Sequence, residues 1–203
     1  MIQGTPDWHA ARLGKLTASR FADAIAKTKT GWGASRLNLR AQLVTERLTG
    51  LPAETYTNGA MQWGIETEPH ARAAYEFAHD VTVEQVGFID HPTIPMAGAS
   101  PDGLVGDDGL VELKCPNTAT HINTLIAGTV PERYVLQMQW QMACTARKWC
   151  DFASFDPRLP ERMRLWVRRV ERDDKRIAEL EDLARLFLTE VDATIAALER
   201  VAA

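Results

Sequence analysis

Ser100-Pro101-Asp102-Gly103-Leu104-Val105-Gly106-Asp107-Asp108-Gly109-Leu110-Val111-Glu112-Leu113-Lys114-Cys115-Pro116 is the stretch on which the fold turns. Gly106 to Gly109 is a hairpin turn, its Asp-Gly pair suited to positive φ. It joins Met96–Val105, a short strand broken by Pro101, to a return strand over Leu110–Cys115 that Pro116 stops. Alternation sends Leu110, Glu112 and Lys114 to one face of the return strand and Val111, Leu113 and Cys115 to the other. Pairing across the hairpin brings Asp102 toward Glu112. Two converging carboxylates repel unless a cation lies between them. Hard oxygen donors select Mg²⁺ or Mn²⁺ over zinc. Lys114 would reach the water bound to such a metal. That set suits phosphodiester hydrolysis, in which the metal polarises the phosphate and metal and lysine generate hydroxide. The competing account is an exposed hairpin with a cross-strand salt bridge, and the Pro-Asp…Glu-x-Lys pattern alone leaves both open.

Outward from the hairpin, helices and strands alternate. Thr5-Pro6-Asp7 opens a short helix to Leu13. Thr17 or Ser19 caps a second that runs to Ala26. Lys27 to Gly33 reads as a mobile basic loop, and its Lys27 and Lys29 suit either a duplex backbone or solvent. Helices are expected over Ser35–Thr49, Asn58–His79, Thr118–Ile126 and Glu132–Thr145, and strands over Val81–Ile89, Trp149–Phe155 and Met163–Val170. Asp173–Val201 is a long amphipathic helix with Ile177, Leu180, Leu183, Phe187, Val191, Ile195 and Leu198 as its apolar stripe. Helices before, between and after a strand cluster imply an α/β fold with a mixed central β-sheet flanked by helices.

At 203 residues, 45% hydrophobic and 25% charged, the chain has the make-up of one globular domain, 1–203, with room for a core. The net charge of −4 argues against a simple basic nucleic-acid sponge, yet it hides an asymmetry. Arg12 to Arg47 carries eight basic residues against two acids, and Leu48 to Leu113 one against eleven. Phosphates held by the first block and metals by the second is one account; solvated helix faces are the other. No apolar run approaches the roughly 18 residues of a membrane span, and the N-terminus shows no signal peptide. Three cysteines without a C-x-x-C pair fit free thiols in the cytoplasm and leave no zinc or iron–sulfur ligand set. The five histidines show no H-x-x-H spacing.

A series of matches, in order from Gly4 to Arg172, resembles the lambda exonuclease family, the YqaJ-like viral recombinases of the PD-(D/E)xK nuclease superfamily. They are Gly4-Thr5-Pro6-Asp7-Trp8-His9, Arg12-Leu13-Gly14, Thr17-Ala18-Ser19, Trp63-Gly64, Glu68, Ser100-Pro101-Asp102-Gly103, Glu112-Leu113-Lys114-Cys115-Pro116, Gln137-Met138-Gln139 with Trp140, Phe155-Asp156-Pro157-Arg158 and Glu171-Arg172-Asp173. The resemblance implies a restriction-endonuclease-like core. It makes Asp102, Glu112 and the Leu113 carbonyl metal ligands, with Glu68 beside the metals as ligand or water-holder. Lys114 would orient or activate the attacking water, and Gln139 would touch the site from a helix. Arg12, Ser19 and Ser100 would hold a terminal 5′-phosphate. A fork from Arg12 and a helix N-terminus at Ser19 suit an anion. Met61 would be a wedge at the terminal base pair. The implied activity is a Mg²⁺-dependent 5′→3′ exonuclease on linear duplex DNA, with one or two ions (Mg²⁺, or Mn²⁺). It would leave 3′ single-stranded tails for an annealing protein, and act as a homotrimeric ring around DNA. An endonuclease on the same scaffold and a non-catalytic DNA-end-binding module are the rivals; the second would expect a broken carboxylate–lysine set.

Overall fold

Thr5 accepts a hydrogen bond from the Trp8 amide and caps α1 (Pro6–Arg12) in the computed structural model, which describes residues 2–53 and 59–202. Next come β1 (Leu16–Thr17), a 3₁₀ turn over Ala18–Arg20 and the single turn α2 (Phe21–Ala24). β2 (Lys27–Thr28) and β3 (Gly31–Trp32) pair as a ribbon. α3 (Ala34–Thr49) stops at Gly50, whose φ of 67° suits a residue without a Cβ. α4 (Gly59–His79), β4 (Val83–Glu84), β5 (Ile89–Asp90), β6 (Ala97–Ala99), β7 (Gly103–Val105) and β8 (Gly109–Lys114) follow. The rest is α5 (Thr118–Ala127), α6 (Glu132–Thr145), β9 (Trp149–Phe155), α7 (Glu161–Arg164), β10 (Leu165–Glu171) and α8 (Asp174–Ala202). This is the expected α/β arrangement, with mixed sheets and a long C-terminal helix.

Five strands form the larger sheet in the order β10-β9-β8-β7-β4, antiparallel except for the parallel pair β8–β9. β1-β6-β5 forms a smaller one, with β1 and β6 parallel. Between β4 and β7 the chain leaves the larger sheet and returns to it, through Gln85–Phe88 and through Ser100–Asp102. The Gln3 amide ties the crossings together, donating to the Val86 carbonyl at 3.0 Å and the Pro101 carbonyl at 2.7 Å. On one face of the larger sheet Val111 and Leu113 pack with Ala71 and Tyr75 of α4. On the other Leu110 packs with Met138 and Met142 of α6. α8 buries Leu180, Phe187 and Val191 with α2, α3 and Trp140, and Ile177 with Leu110 and Met138, while its outer end leaves Leu198 exposed.

Four local expectations change. The helix from Thr17 or Ser19 to Ala26 is replaced by the 3₁₀ turn and four residues of α2, because Leu16 and Thr17 pair with Ala97 and Gly98. Lys27–Gly33 is a ribbon rather than a loop. Val81–Ile89 splits, since Val83–Glu84 pairs in one sheet and Ile89 in the other. The strand from Met163 begins at Leu165, after the turn of α7. Asn58, the expected start of the fourth helix, lies outside the described residues.

Close backbone approach makes Gly98 irreplaceable. A Cβ there would stand 2.5 Å from the Ile89 carbonyl and run into the Phe88 ring, whereas one at Gly64 in α4 meets nothing within 4 Å. Gly98→Ala should lose about 1–3 kcal/mol in urea unfolding, and Gly64→Ala should be neutral or gain up to about 1 kcal/mol.

Candidate active site

The hairpin register pairs Gly103 with Val111 and Val105 with Gly109. Continued by one residue, it sets Asp102 opposite Glu112. Asp102 Oδ2 accepts the Leu113 amide at 2.7 Å, which fixes the carboxylate against the return strand. Glu112 is fully buried and faces α6. Its Oε1 takes the Lys114 ammonium and the Gln137 amide, the latter at 2.6 Å, and its Oε2 takes the Gln141 amide at 2.6 Å. The Lys114 ammonium also stands 5.4 Å from the centre of the Tyr134 ring.

Burial raises Asp102 well above the ordinary carboxylate range, and the Glu112 charge raises it further; Lys114 works the other way. Glu68 is also raised, chiefly by burial, with Arg72 and Lys114 opposing and Glu112 adding. Arg72, one turn on in α4, donates to Glu68. Burial would lower Lys114, but the Glu112 and Asp102 charges outweigh it and keep the ammonium protonated. Cys115, beside these acids, is pushed up to about 12 by burial and then by Glu68 and Asp102, so it is a thiol and no nucleophile.

These donors fit a hard divalent cation. Asp102, Glu112 and Glu68 share the neighbourhood with Lys114 and the Glu68-bound Arg72, leaving negative charge in excess. Among the described residues, no three His, Cys, Asp or Glu side chains converge into a closed metal cage. Mg²⁺ needs none, since it keeps several waters and is held by one or two carboxylates with substrate oxygens. The Leu113 carbonyl belongs to the residue whose amide binds Asp102.

Gln139 is a correction. Its amide donates to the Glu171 carbonyl at 2.7 Å and accepts the Asp173 amide at 3.0 Å, away from the carboxylates. Gln137 and Gln141 touch Glu112 instead. Their i,i+4 spacing puts them on one stripe of α6, whereas Gln139 lies about 200° round from Gln137. The available signal was that stripe of amides in a helix otherwise filled by Leu136, Met138, Trp140 and Met142.

Of the three residues expected at a 5′-phosphate, strand pairing brings Ser19 and Ser100 together, and Trp8 links Arg12 to Ser100. β1 and β6 run parallel, so Ser19 and Ser100 leave them at the same end. Ser100 Oγ accepts the Trp8 indole N–H at 2.9 Å, and the Arg12 guanidinium stacks 3.8 Å from the centre of that indole. Ser19 Oγ lies 3.3 Å from Thr17 Oγ1. The helix dipole expected at Ser19 is lost with the helix, so its hydroxyl is what it offers. Lys27 and Lys29 are exposed on the ribbon. Met61 is 49% exposed, on the α4 stripe that carries Glu68 seven residues on. Much of the basic block is spent internally: Arg36 pairs with Glu190 at 2.8 Å, Arg47 with Asp192 at 2.6 Å and Arg20 with Asp23 at 2.8 Å.

The fold is also that of solved exonucleases. The chain superposes on an alkaline exonuclease (LHK-Exo) from Laribacter hongkongensis with a TM-score of 0.91 and 54% identity over 98% of each chain. On the same exonuclease solved in complex with dAMP the TM-score is 0.92, again at 54% identity over 98% of each chain. A phage-related exonuclease from Haemophilus somnus 129PT shares the fold at 16% identity, with a TM-score of 0.72 over 91% of this chain and 96% of that one. No curated protein matches the chain. The chain belongs to the YqaJ-like viral recombinase family, whose domain model matches residues 7–148. No helix among the described residues is long and apolar enough to cross a membrane.

An acid whose folded pKa is raised stabilises nothing when ionised. The metal-free protein should therefore lose stability as pH rises from the unfolded carboxylate range, near 4, through the raised Asp102 value. Asp102→Asn keeps the oxygen that accepts the Leu113 amide and removes the charge. At pH 8 without divalent ions its Tm should exceed wild type by roughly 2–4 °C, about 1 kcal/mol. Added Mg²⁺ should raise the Tm of wild type and leave that of the variant unchanged.

Proposed function

We propose that the chain is a single-domain Mg²⁺-dependent 5′→3′ exonuclease that degrades one strand of linear duplex DNA and leaves 3′ single-stranded tails for recombination. The observation that carries this is the meeting of Asp102, Glu112 and Lys114 at one end of the β7–β8 hairpin. Membership of the viral recombinase family and the 54% identity to an alkaline exonuclease support it. So does that relative's complex with dAMP, a mononucleotide such as stepwise hydrolysis releases.

Asp102, Glu112 and the Leu113 carbonyl would hold the cation, with Glu68 at its flank. Bound there, Mg²⁺ would supply Lewis-acid polarisation of the scissile phosphate and a bound water of lowered pKa. Lys114, protonated, donates to the attacking water or to a non-bridging phosphate oxygen and offsets charge developing there. It does not take a proton while its ammonium remains on Glu112. Arg12, Ser19 and Ser100 present a fork and two hydroxyls to a terminal 5′-phosphate, which fixes the register of the strand before hydrolysis. Lys27 and Lys29 follow the duplex backbone, and Met61 meets the terminal base pair. A homotrimeric ring around DNA and a single-strand annealing partner complete the proposal.

Linear 5′-phosphorylated duplex should be digested with Mg²⁺, and survive with EDTA or with Lys114→Ala. Covalently closed circles should survive throughout. Cut circles would point to an endonuclease, and intact linear DNA in every reaction to a binding module. Arg12→Ala should raise KM for 5′-phosphorylated ends about 10–100-fold, the loss of one charge-assisted hydrogen bond of about 1.5–3 kcal/mol, and abolish any preference over 5′-hydroxyl ends. Light scattering should return three times the 22.6 kDa chain mass.

A further inference from the structure

α6 gives Glu112 two amide donors, and they do different work. On Oε1 the Gln137 amide joins the Lys114 ammonium, so both in-plane lone pairs of that oxygen are used. Oε2 accepts from Gln141 at 2.6 Å, which leaves one in-plane lone pair open. Gln141 is fully buried, and its own oxygen lies 4.0 Å from the Cys150 thiol, which donates to it. The amide is therefore held from behind with its nitrogen toward Glu112.

We propose that Gln141 is a positioning residue that fixes the plane of the Glu112 carboxylate, presents the open lone pair of Oε2 to a divalent cation, and so sets cation affinity. The inference rests on the nuclease reading of the site. An amide suits the task because it is neutral. It restrains the carboxylate by a hydrogen bond and leaves the negative charge to attract the cation. A lysine or arginine in its place would compete with the cation, as Lys114 already does at Oε1. Without Gln141 both hydrogen bonds to Glu112 side-chain oxygens fall on Oε1, and the carboxylate can pivot about that oxygen.

The test is Mn²⁺ binding by titration calorimetry, on wild type, Gln141→Met (similar length, no donor) and Gln141→Asn (a donor too short to reach), with Glu112→Gln as the reference for a lost ligand. The Mn²⁺ dissociation constant should rise about 10–100-fold in both Gln141 variants. KM for DNA at saturating Mn²⁺ should stay at the wild-type value, an outcome that a general loosening of the core would not give. A change below threefold in either folded variant overturns the inference. Should the variants not fold, wild type is titrated with Mg²⁺ and the Gln141 side-chain NH₂ signals are followed by ¹⁵N NMR. They should shift on the same binding curve as the Leu113 amide; signals that stay still while Leu113 moves overturn the inference. Wild type that takes up no Mn²⁺ sinks the nuclease reading and this inference together. Wild type that binds Mn²⁺, with unaffected Gln141 variants, sinks this inference alone.

Discussion

Repulsion between Asp102 and Glu112 is the constraint around which the rest is arranged. The hairpin register sets the two acids opposite one another, and full burial of Glu112 with partial burial of Asp102 removes much of the water that would screen them. Like charges held this way cost on the order of a few kcal/mol at an effective dielectric of about 20. The metal-free protein meets that cost with hydrogen bonds and one cation of its own: the Leu113 amide on Asp102, two glutamine amides and the Lys114 ammonium on Glu112. Among the described residues only Lys114 brings positive charge to Glu112, so a carboxylate surplus remains.

The two sheets meet where this charge sits. One passage of chain from β6 to β7 carries both Ser100, bonded to Trp8 beside Arg12, and Asp102, bonded to the Leu113 amide beside Glu112. Trp8 and Gln3 hold that passage from the N-terminal segment, through Ser100 Oγ and the Pro101 carbonyl. In the proposed function, recognition of a strand end and hydrolysis of its terminal linkage would therefore be built two residues apart. A shift of β6 against β1 would disturb both.

The hairpin was legible because period-two alternation and an Asp-Gly turn are local signals, and the face assignment of Glu112 and Lys114 followed from parity alone. The long helices were legible for the same reason, their apolar spacing being local. What stayed hidden was non-local. Leu16 and Thr17 pair with β6, some eighty residues away, and that pairing suppresses a helix their own neighbourhood favours. Val81–Ile89 looks continuous and divides only because its ends join different sheets. Motif position points to Gln139, and helix phase decides against it: the amides that reach Glu112 are those at positions 137 and 141. The charge blocks misled in part, because the acids that neutralise Arg36 and Arg47 lie in α8, far along the chain.

The most direct test of the central claim is an anomalous-difference map from a crystal of this protein soaked in Mn²⁺. The account requires a peak within coordination distance of both Asp102 and Glu112, with a Glu112 oxygen in its first shell. A map with its Mn²⁺ peaks elsewhere, and those two side chains still bonded only to protein donors, would contradict it.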